Sequence, residues 1–504
     1  MSTLRELAAL ADVLGRWTLV GLVMFGALPL VAACYQFAII GMHAFRNHYD
    51  KVEPRFPRVA ILIPAWNEAA VIGMSIDRLL ELDYPPDRLR LYVVDDASTD
   101  NTPDVVIAKG KENPGRVLHL RRDKGGEGKA HTLNHGLVQI LADDWMEALL
   151  IMDADVVYEP NSLRKMTRHF ADPEVGAVTA YIKEGSRPPN WMNRFIGYEY
   201  ITAQAAARRS QNILGAMACL AGGAQLHTRA NLEAIGGQID TSSLAEDTFT
   251  TFKTQLAGNR VVFDGNATVW AEEPDNIDGL WKQRLRWGRG NVQVSFRYKH
   301  LWFHPSPDHG LGNYSFGFFW FSLFLLPIFM IVASASLVTL FFIDFPLSWA
   351  AFKALWIINA IGYIFITSFT LMIDPVTARN TWREAVTFPG LLSLAIILYT
   401  IFPRLFKWAL LEVMELLHIP TNGLVLRSII LFVYVWLAAS MLVAWAAKGF
   451  ESRRRLRWLS RPLVYIAGYG PLLCAVTFTS YIKEARGAEM TWDKTDKTGK
   501  VAMA

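Results

Sequence analysis

Two apolar regions bracket the charged part of this chain, and that spacing constrains its fold most. Residues 17–41 form one apolar run, 313–485 is largely apolar and aromatic, and residues 50–300 carry most of the acids. A bilayer core needs roughly 20 apolar residues in a helix, so the first run predicts a transmembrane helix. "VAAC" at 31–34 has the look of a lipoprotein cleavage box, but the apolar run continues past Cys34 and the start mixes both charge signs. A plain anchor is therefore expected. The basic segment 43–58 then places the acidic block in the cytoplasm. A net charge of +4 is too small to imply nucleic acid as a partner, and the basic residues sit beside apolar segments, as at a membrane surface. Cys34, Cys219 and Cys474 form neither a disulfide framework nor a zinc spacing. A reducing compartment follows.

Between the apolar regions, short apolar runs alternate with amphipathic ones. Strands are predicted at 58–64, 89–96, 116–122 and 147–155. A helix at 68–82 would put Ile72, Ile76, Leu79 and Leu80 on one face. This alternation predicts a parallel α/β sheet covered on both faces, with ligands beyond the carboxyl ends of the strands. Beyond 300, spans are predicted at 313–343, 349–373, 385–403, 424–447 and 462–483. Segment 404–418 reads as an interfacial amphipathic helix and 448–461 as a cytoplasmic basic loop.

Five motifs carry chemistry. "VVDDASTDN" sets Asp95 and Asp96 at a strand end, where carboxylates can bind a base or ribose or merely cap a turn. "IMDADVV" sets Asp153 and Asp155 two residues apart, a hard-oxygen pair suited to Mg²⁺ or Mn²⁺ with positions left for substrate. "RDKGGEGKAHTLN" fails the Walker pattern, which argues against a nucleotide triphosphatase, yet Lys129 can still meet a diphosphate. His131 and His135 read as structural. "LAEDTFT" places Glu246 and Asp247 at a helix start, as a general base or a favourable N-terminal charge. Finally, "GLWKQRLRWGRGN" (279–291), if helical, sets Gln283, Arg286 and Trp287 on one face and Trp281 with Leu285 on another. Trp281 and the cations would rest at the membrane surface; that does not explain the glutamine.

Together "PAWNE", "VVDDASTD", "DAD", "AED" and "QRLRW", in this order and followed by membrane spans, resemble the family 2 glycosyltransferases. The similarity is to the membrane-embedded group of cellulose, hyaluronan, chitin-oligosaccharide and poly-N-acetylglucosamine synthases. It implies an α/β GT-A-like nucleotide-sugar domain between an N-terminal transmembrane helix and a C-terminal multi-helix transmembrane region. The expected parts are 1–50 (anchor), 51–278 (GT-A domain), 279–312 (interfacial helices), 313–485 (membrane bundle) and 486–504 (polar tail). By resemblance, Ala65, Asn67, Glu68, Asp95 and Asp96 would bind the uridine of a UDP-sugar. Asp155 and Asp153 would hold Mg²⁺ or Mn²⁺ on the diphosphate, with Lys129 facing it. Asp247, beside Glu246, would be the general base. Gln283, Arg286 and Trp287 would serve diphosphate and acceptor. Ala245 departs from the family's usual Thr.

One base without a carboxylate nucleophile implies single displacement with inversion, whereas a glycosidase would need two carboxylates flanking the bond. The expected function is a processive synthase in the bacterial inner membrane, with a UDP-sugar donor, a polysaccharide acceptor, the lipid bilayer around it and room for accessory export subunits. The alternative is a ceramide glucosyltransferase-like enzyme that adds one sugar to a lipid. A non-catalytic transporter leaves the ordered carboxylates unexplained. The tail "TWDKTDKTGK" (491–500) reads as a gating segment or a solvated terminus; a single crossing at 462–483 would put it on the wrong side to gate, but Gly468 and the Gly-Pro at 470–471 permit a broken or re-entrant segment instead.

Overall fold

The computed structural model describes residues 2–42, 49–490 and 499–502. Most of the basic segment's start (43–48) and most of the tail (491–498) lie outside the described residues. The chain divides into two compact units, one of Phe37–Gly317 with Lys483–Ala504, the other of Met1–Gln36 with Phe318–Ile482.

The first unit is built on one eight-stranded sheet: β1 (Val59–Ala65), β2 (Leu89–Asp95), β3 (Val117–Arg121), β4 (Ala148–Ile151), β5 (Val156–Tyr158), β6 (Val175–Glu184), β7 (Gln225–Thr228) and β8 (Arg260–Ala271). Their order is β3-β2-β1-β4-β7-β6-β8-β5. The predicted parallel sheet holds for β3, β2, β1 and β4 only. β7 runs antiparallel to both β4 and β6, β6 and β8 are parallel, and β5 is antiparallel to β8. The predicted strand 147–155 also divides. The ladder stops at Ile151, residues 152–155 turn, and the chain leaves into β5 on the opposite side of the sheet. Two carboxylates could not have been carried further into a buried ladder without large desolvation cost.

These directions have one geometric result. Because two reversals restore direction, β6 and β8 point the same way as β1, β2 and β4. Their carboxyl ends and that of β3, six in all, together with the starts of β5 and β7, therefore lie along one edge of the sheet. Ligands in such sheets bind beyond that edge.

β1 reads as an unbroken apolar run because both faces are covered; Val59 through Ile63 are fully buried. One cover is the Lys129–Leu141 helix, whose Ala130, Leu133, Leu137 and Ile140 pack with Leu62, Tyr92 and Val94. Each such side chain contributes about 1.5–3 kcal/mol on full burial. The predicted helix begins at Ile72 rather than 68, since residues 66–71 are used in a loop. Ile72, Ile76 and Leu79 are buried as expected, and Leu80 only partly.

Among the described residues, four helices, mainly of the second unit, are long and apolar enough to cross a membrane: Arg5–Met42, Leu326–Ile343, Phe345–Ile373 and Gly423–Glu451. A fifth candidate is the pair Arg457–Ala467 and Tyr469–Ala485, bent by 102° at Gly468. Three expected spans change. The run 313–343 is two helices, broken after Phe324. Within 385–403 the apolar helix is only Leu391–Ile401, about 17 Å at 1.5 Å per residue and too short to span. The 462–483 stretch straddles the break between Arg457–Ala467 and Tyr469–Ala485, where Gly468 adopts φ +107. Pro346 sits in the first turn of Phe345–Ile373, where its missing N–H costs no bond. Val23, Leu337, Leu340, Phe352, Leu355 and Tyr434 form this unit's core.

Gly136 shows how closely helix and sheet approach. A Cβ there would lie 2.5 Å from Leu62 Cδ1 and 2.8 Å from Val94 Cγ2. Gly136→Ala should destabilise the domain by about 1–3 kcal/mol, read as a lower thermal midpoint of the detergent-solubilised protein.

Candidate active site

At the β1 and β2 ends, two loops are laced together. Asn67 N–H donates to Ser98 Oγ (2.9 Å), Thr99 N–H to Asn67 Oδ1 (2.9 Å) and Glu68 N–H to Thr102 Oγ1 (2.8 Å). Asn67 and Ala97 both adopt φ +54, the left-handed region that asparagine tolerates better than most residues. Asp95 is 0% exposed, and its carboxylate accepts from Ser98 N–H (2.8 Å) and Arg121 Nη1 (2.6 Å). That carboxylate is used to build the loop. Asp96 pairs with Arg122 and accepts Gly126 N–H (2.9 Å), while its own N–H donates to the Ala65 carbonyl (2.8 Å). Ala65 thus contributes backbone.

The centre of the edge is a buried ammonium. Lys129 opens the Lys129–Leu141 helix and is 9% exposed. Its Nζ lies 2.6 Å from Asp153 Oδ1 and 3.6 Å from Glu246 Oε1, and donates to the Gly222 carbonyl at 3.1 Å. Burial works to lower its pKa, but Asp153, Glu246 and Asp247 outweigh that and hold it above the usual lysine range. Burial pushes the Glu246 carboxyl up, Asp247 adds to this, and Lys129 and Arg286 oppose it. Gly222 and Gly223 pass close to their neighbours, Gly223 too close for a Cβ without a shift. A Cβ on Gly222 would lie 3.3 Å from both Lys129 Nζ and Asp247 Oδ2, and one on Gly223 2.8 Å from Val156 Cγ2. Tyr158 OH donates to the Gly223 carbonyl at 3.0 Å and fixes that turn. Asp153 and Asp155 are both partly exposed on the turn after β4.

The third part is the Ile277–Arg297 helix, started by Asn276, whose side chain accepts Gly279 N–H (2.8 Å). Gln283 donates from Nε2 to Glu273 Oε2 (3.0 Å), Arg286 is half-buried beside Glu246, and Trp287 is 37% exposed. Trp281 is not an exposed surface anchor: it is only 6% exposed, on the buried face of this helix with Ile277, Leu280 and Arg284. Gly290 fits against Ala245: a Cβ at 290 would lie 2.4 Å from Ala245 Cβ and 3.2 Å from its nitrogen, so a side chain at 290 would force the two apart.

The structure thus gathers Lys129, Asp153, Glu246, Asp247 and Arg286, with Asp155 on the same turn as Asp153. Ala65, Asn67, Glu68, Asp95 and Asp96 form a neighbouring corner of the same edge. Sequence reasoning missed Glu184, Glu199, Tyr200, Glu273 and Arg284. Glu272–Glu273 follow β8 just as Asp95–Asp96 end β2, so the same rule finds them once β8 is read. Residues 499–502 also reach this edge: Gly499 N–H donates to Glu272 Oε2 (2.9 Å), Arg187 N–H to Lys500 O (2.8 Å) and Ala502 N–H to Gly185 O (3.1 Å). The end of the tail therefore belongs to the catalytic unit; the gating expectation for 491–498 falls outside the described residues.

Sheet order and edge site define a GT-A-like α/β domain. A family model described as "Glycosyltransferase like family 2" matches residues 57–290. Those residues are a family 2 glycosyltransferase domain, and the chain is a glycosyltransferase. The probable glycosyltransferase YdaM of Bacillus subtilis is 29% identical over 369 residues, 70% of this chain and 84% of that one. The β-monoglucosyldiacylglycerol synthase of Synechocystis is 30% identical over 57% of each chain. The poly-β-1,6-N-acetyl-D-glucosamine synthase of Staphylococcus epidermidis is 27% identical over 47% of this chain and 56% of that one. The chain thus spans just over half the length of the latter two. Among solved structures, the mannosyltransferase PcManGT of Pyrobaculum calidifontis aligns with a TM-score of 0.49 and 21% identity, over 76% of this chain and 99% of that one.

Glu184, at the end of β6, gives a pH prediction. Burial raises its carboxyl to about 7; Ser186 opposes this through hydrogen bonds, and Glu273 adds to it. The folded state holds the proton more tightly than the unfolded chain. The contribution is therefore complete below the ordinary value of 4.5 and is lost as pH rises through about 7. Relative to Glu184→Gln, the wild type should lose about 1–3 kcal/mol between about pH 5 and pH 8, seen by comparing thermal midpoints of the two proteins.

Proposed function

We propose that the protein is an inverting, metal-dependent transferase that takes a sugar from UDP-N-acetylglucosamine or UDP-glucose, extends a β-linked exopolysaccharide and passes it through its own apolar unit. The reading includes a multi-pass protein of the bacterial inner membrane with its catalytic domain cytoplasmic, divided at the residues given above. One observation carries it: Lys129, Asp153, Glu246 and Asp247 converge on the bare Gly222–Gly223 turn, at the sheet edge from which Gln283, Arg286 and Trp287 also rise.

Asp247 takes the proton from the acceptor hydroxyl as that oxygen attacks C1, and the nucleoside diphosphate leaves from the opposite face. An α-linked donor then yields a β-glycoside. Charge gathering on the leaving diphosphate is met by Arg286 and by Lys129, whose ammonium is held ionised by its carboxylate neighbours. Asp153 and Asp155 offer partly exposed hard oxygens, and one ammonium among Asp153, Glu246 and Asp247 leaves the cluster negative, which favours a cation. Among the described residues no group of three or more His, Cys, Asp or Glu could hold a metal, so the diphosphate and water would complete its shell, a coordination Mg²⁺ commonly uses. Bound there, Mg²⁺ or Mn²⁺ would neutralise the diphosphate. The UDP-binding corner is the Asn67–Glu68 and Asp95–Asp96 loops. Trp287 offers an exposed ring for the acceptor sugar.

The similarity to a glucosyldiacylglycerol synthase supports a second reading, transfer of one sugar to a membrane lipid. Product size separates the two. Purified protein with Mg²⁺ or Mn²⁺ and a panel of labelled UDP-sugars should give a polymer; a single-sugar glycolipid selects the second reading. No transfer from any UDP-sugar by intact protein rejects both. Asp247→Asn should lower transfer by about 10²–10⁴-fold without lowering the thermal midpoint.

A further inference from the structure

The edge holds a buried arginine that none of these roles uses. Arg284 lies inside the Gln283–Trp287 stretch, yet its side chain is only 7% exposed and points into the domain. Its Nη1 donates to Gln283 Oε1 (2.7 Å) and its Nη2 to Glu199 Oε2 (2.9 Å). Its guanidinium lies 4.1 Å from the centre of the Trp287 ring and 5.7 Å from that of Tyr200. Each contact restricts a neighbour. Donation to Oε1 fixes which way the Gln283 amide faces, so its Nε2 meets Glu273, whose other oxygen accepts from Tyr200 OH at 2.6 Å. The planar cation packed over the indole restricts the plane of Trp287, which is still 37% exposed. Glu199 balances the charge, without which a buried guanidinium would be costly. Arg286, two residues on, turns instead toward Glu246.

We propose that Arg284 is the positioning residue of the acceptor platform, fixing the Gln283 amide and the Trp287 ring against which an acceptor sugar docks. This rests on the functional reading above. It is tested with UDP-N-acetylglucosamine as donor and a β-linked N-acetylglucosamine oligomer as acceptor. Arg284→Lys keeps the charge but loses the planar fork. It should raise acceptor KM about tenfold with a smaller change in kcat. Donor hydrolysis, in which water replaces the acceptor, should fall by less than transfer. Glu199→Gln, which leaves Arg284 in place but removes its counter-charge, should move acceptor KM in the same direction. In a Trp287→Ala background, Arg284→Lys should add little further, because it acts through that ring. Equal losses of hydrolysis and transfer, additive effects with Trp287→Ala, or an unchanged acceptor KM overturn the proposal while leaving the transferase reading intact. Wild-type transfer to lipid but not to the oligomer overturns the sugar platform alone. Absence of any wild-type transfer overturns the functional reading and this proposal with it.

Discussion

The catalytic edge depends on placing one buried ammonium among three carboxylates. Lys129 could not be buried there without Asp153 and Glu246, and those acids could not share so small a volume without Lys129. Satisfying that ion cluster dictates much else. Two glycines must pass close by, the Lys129–Leu141 helix must begin at this residue, and the Glu246–Leu256 helix must begin where its acids meet the cluster. The core beneath, with Leu62, Leu133 and Leu137, fixes the Lys129–Leu141 helix against the sheet.

Much of this was legible from residue order. Acids after a buried apolar run announce a strand end at a ligand edge, and Asp95–Asp96 and Asp153–Asp155 followed that rule. What could not be read was the reversal. Alternation shows that a segment is extended, not which neighbour it pairs with, so 147–155 looked like one strand although the chain changes sheet position within it. β6 and β8 went unread for a related reason. "VGAVTAYIKE" mixes small residues into a strand buried on both faces, leaving no period to detect. With those strands went Glu184, Glu272 and Glu273, and so the partner of Gln283. Asp95 shows the converse, a recognisable motif residue whose side chain builds its own loop.

In the apolar unit the sequence reported composition faithfully and continuity poorly. A run of apolar residues is a span only if the backbone stays helical for its whole length. Gly468, held at positive φ against the backbone of Pro389 and Gly390, ends one helix and starts another at a steep angle. Hydropathy averages do not register such a turn.

The pairing of residues 499–502 with 185–187 and Glu272 also sets an order of events during synthesis. The catalytic unit is discontinuous in the chain, its second piece following all the long apolar helices. A ribosome that has delivered the sheet has still to deliver every one of those helices before Gly499 can reach Glu272. The edge of the site is therefore completed only after the apolar unit has been made, so a chain interrupted within that unit carries an incomplete transferase.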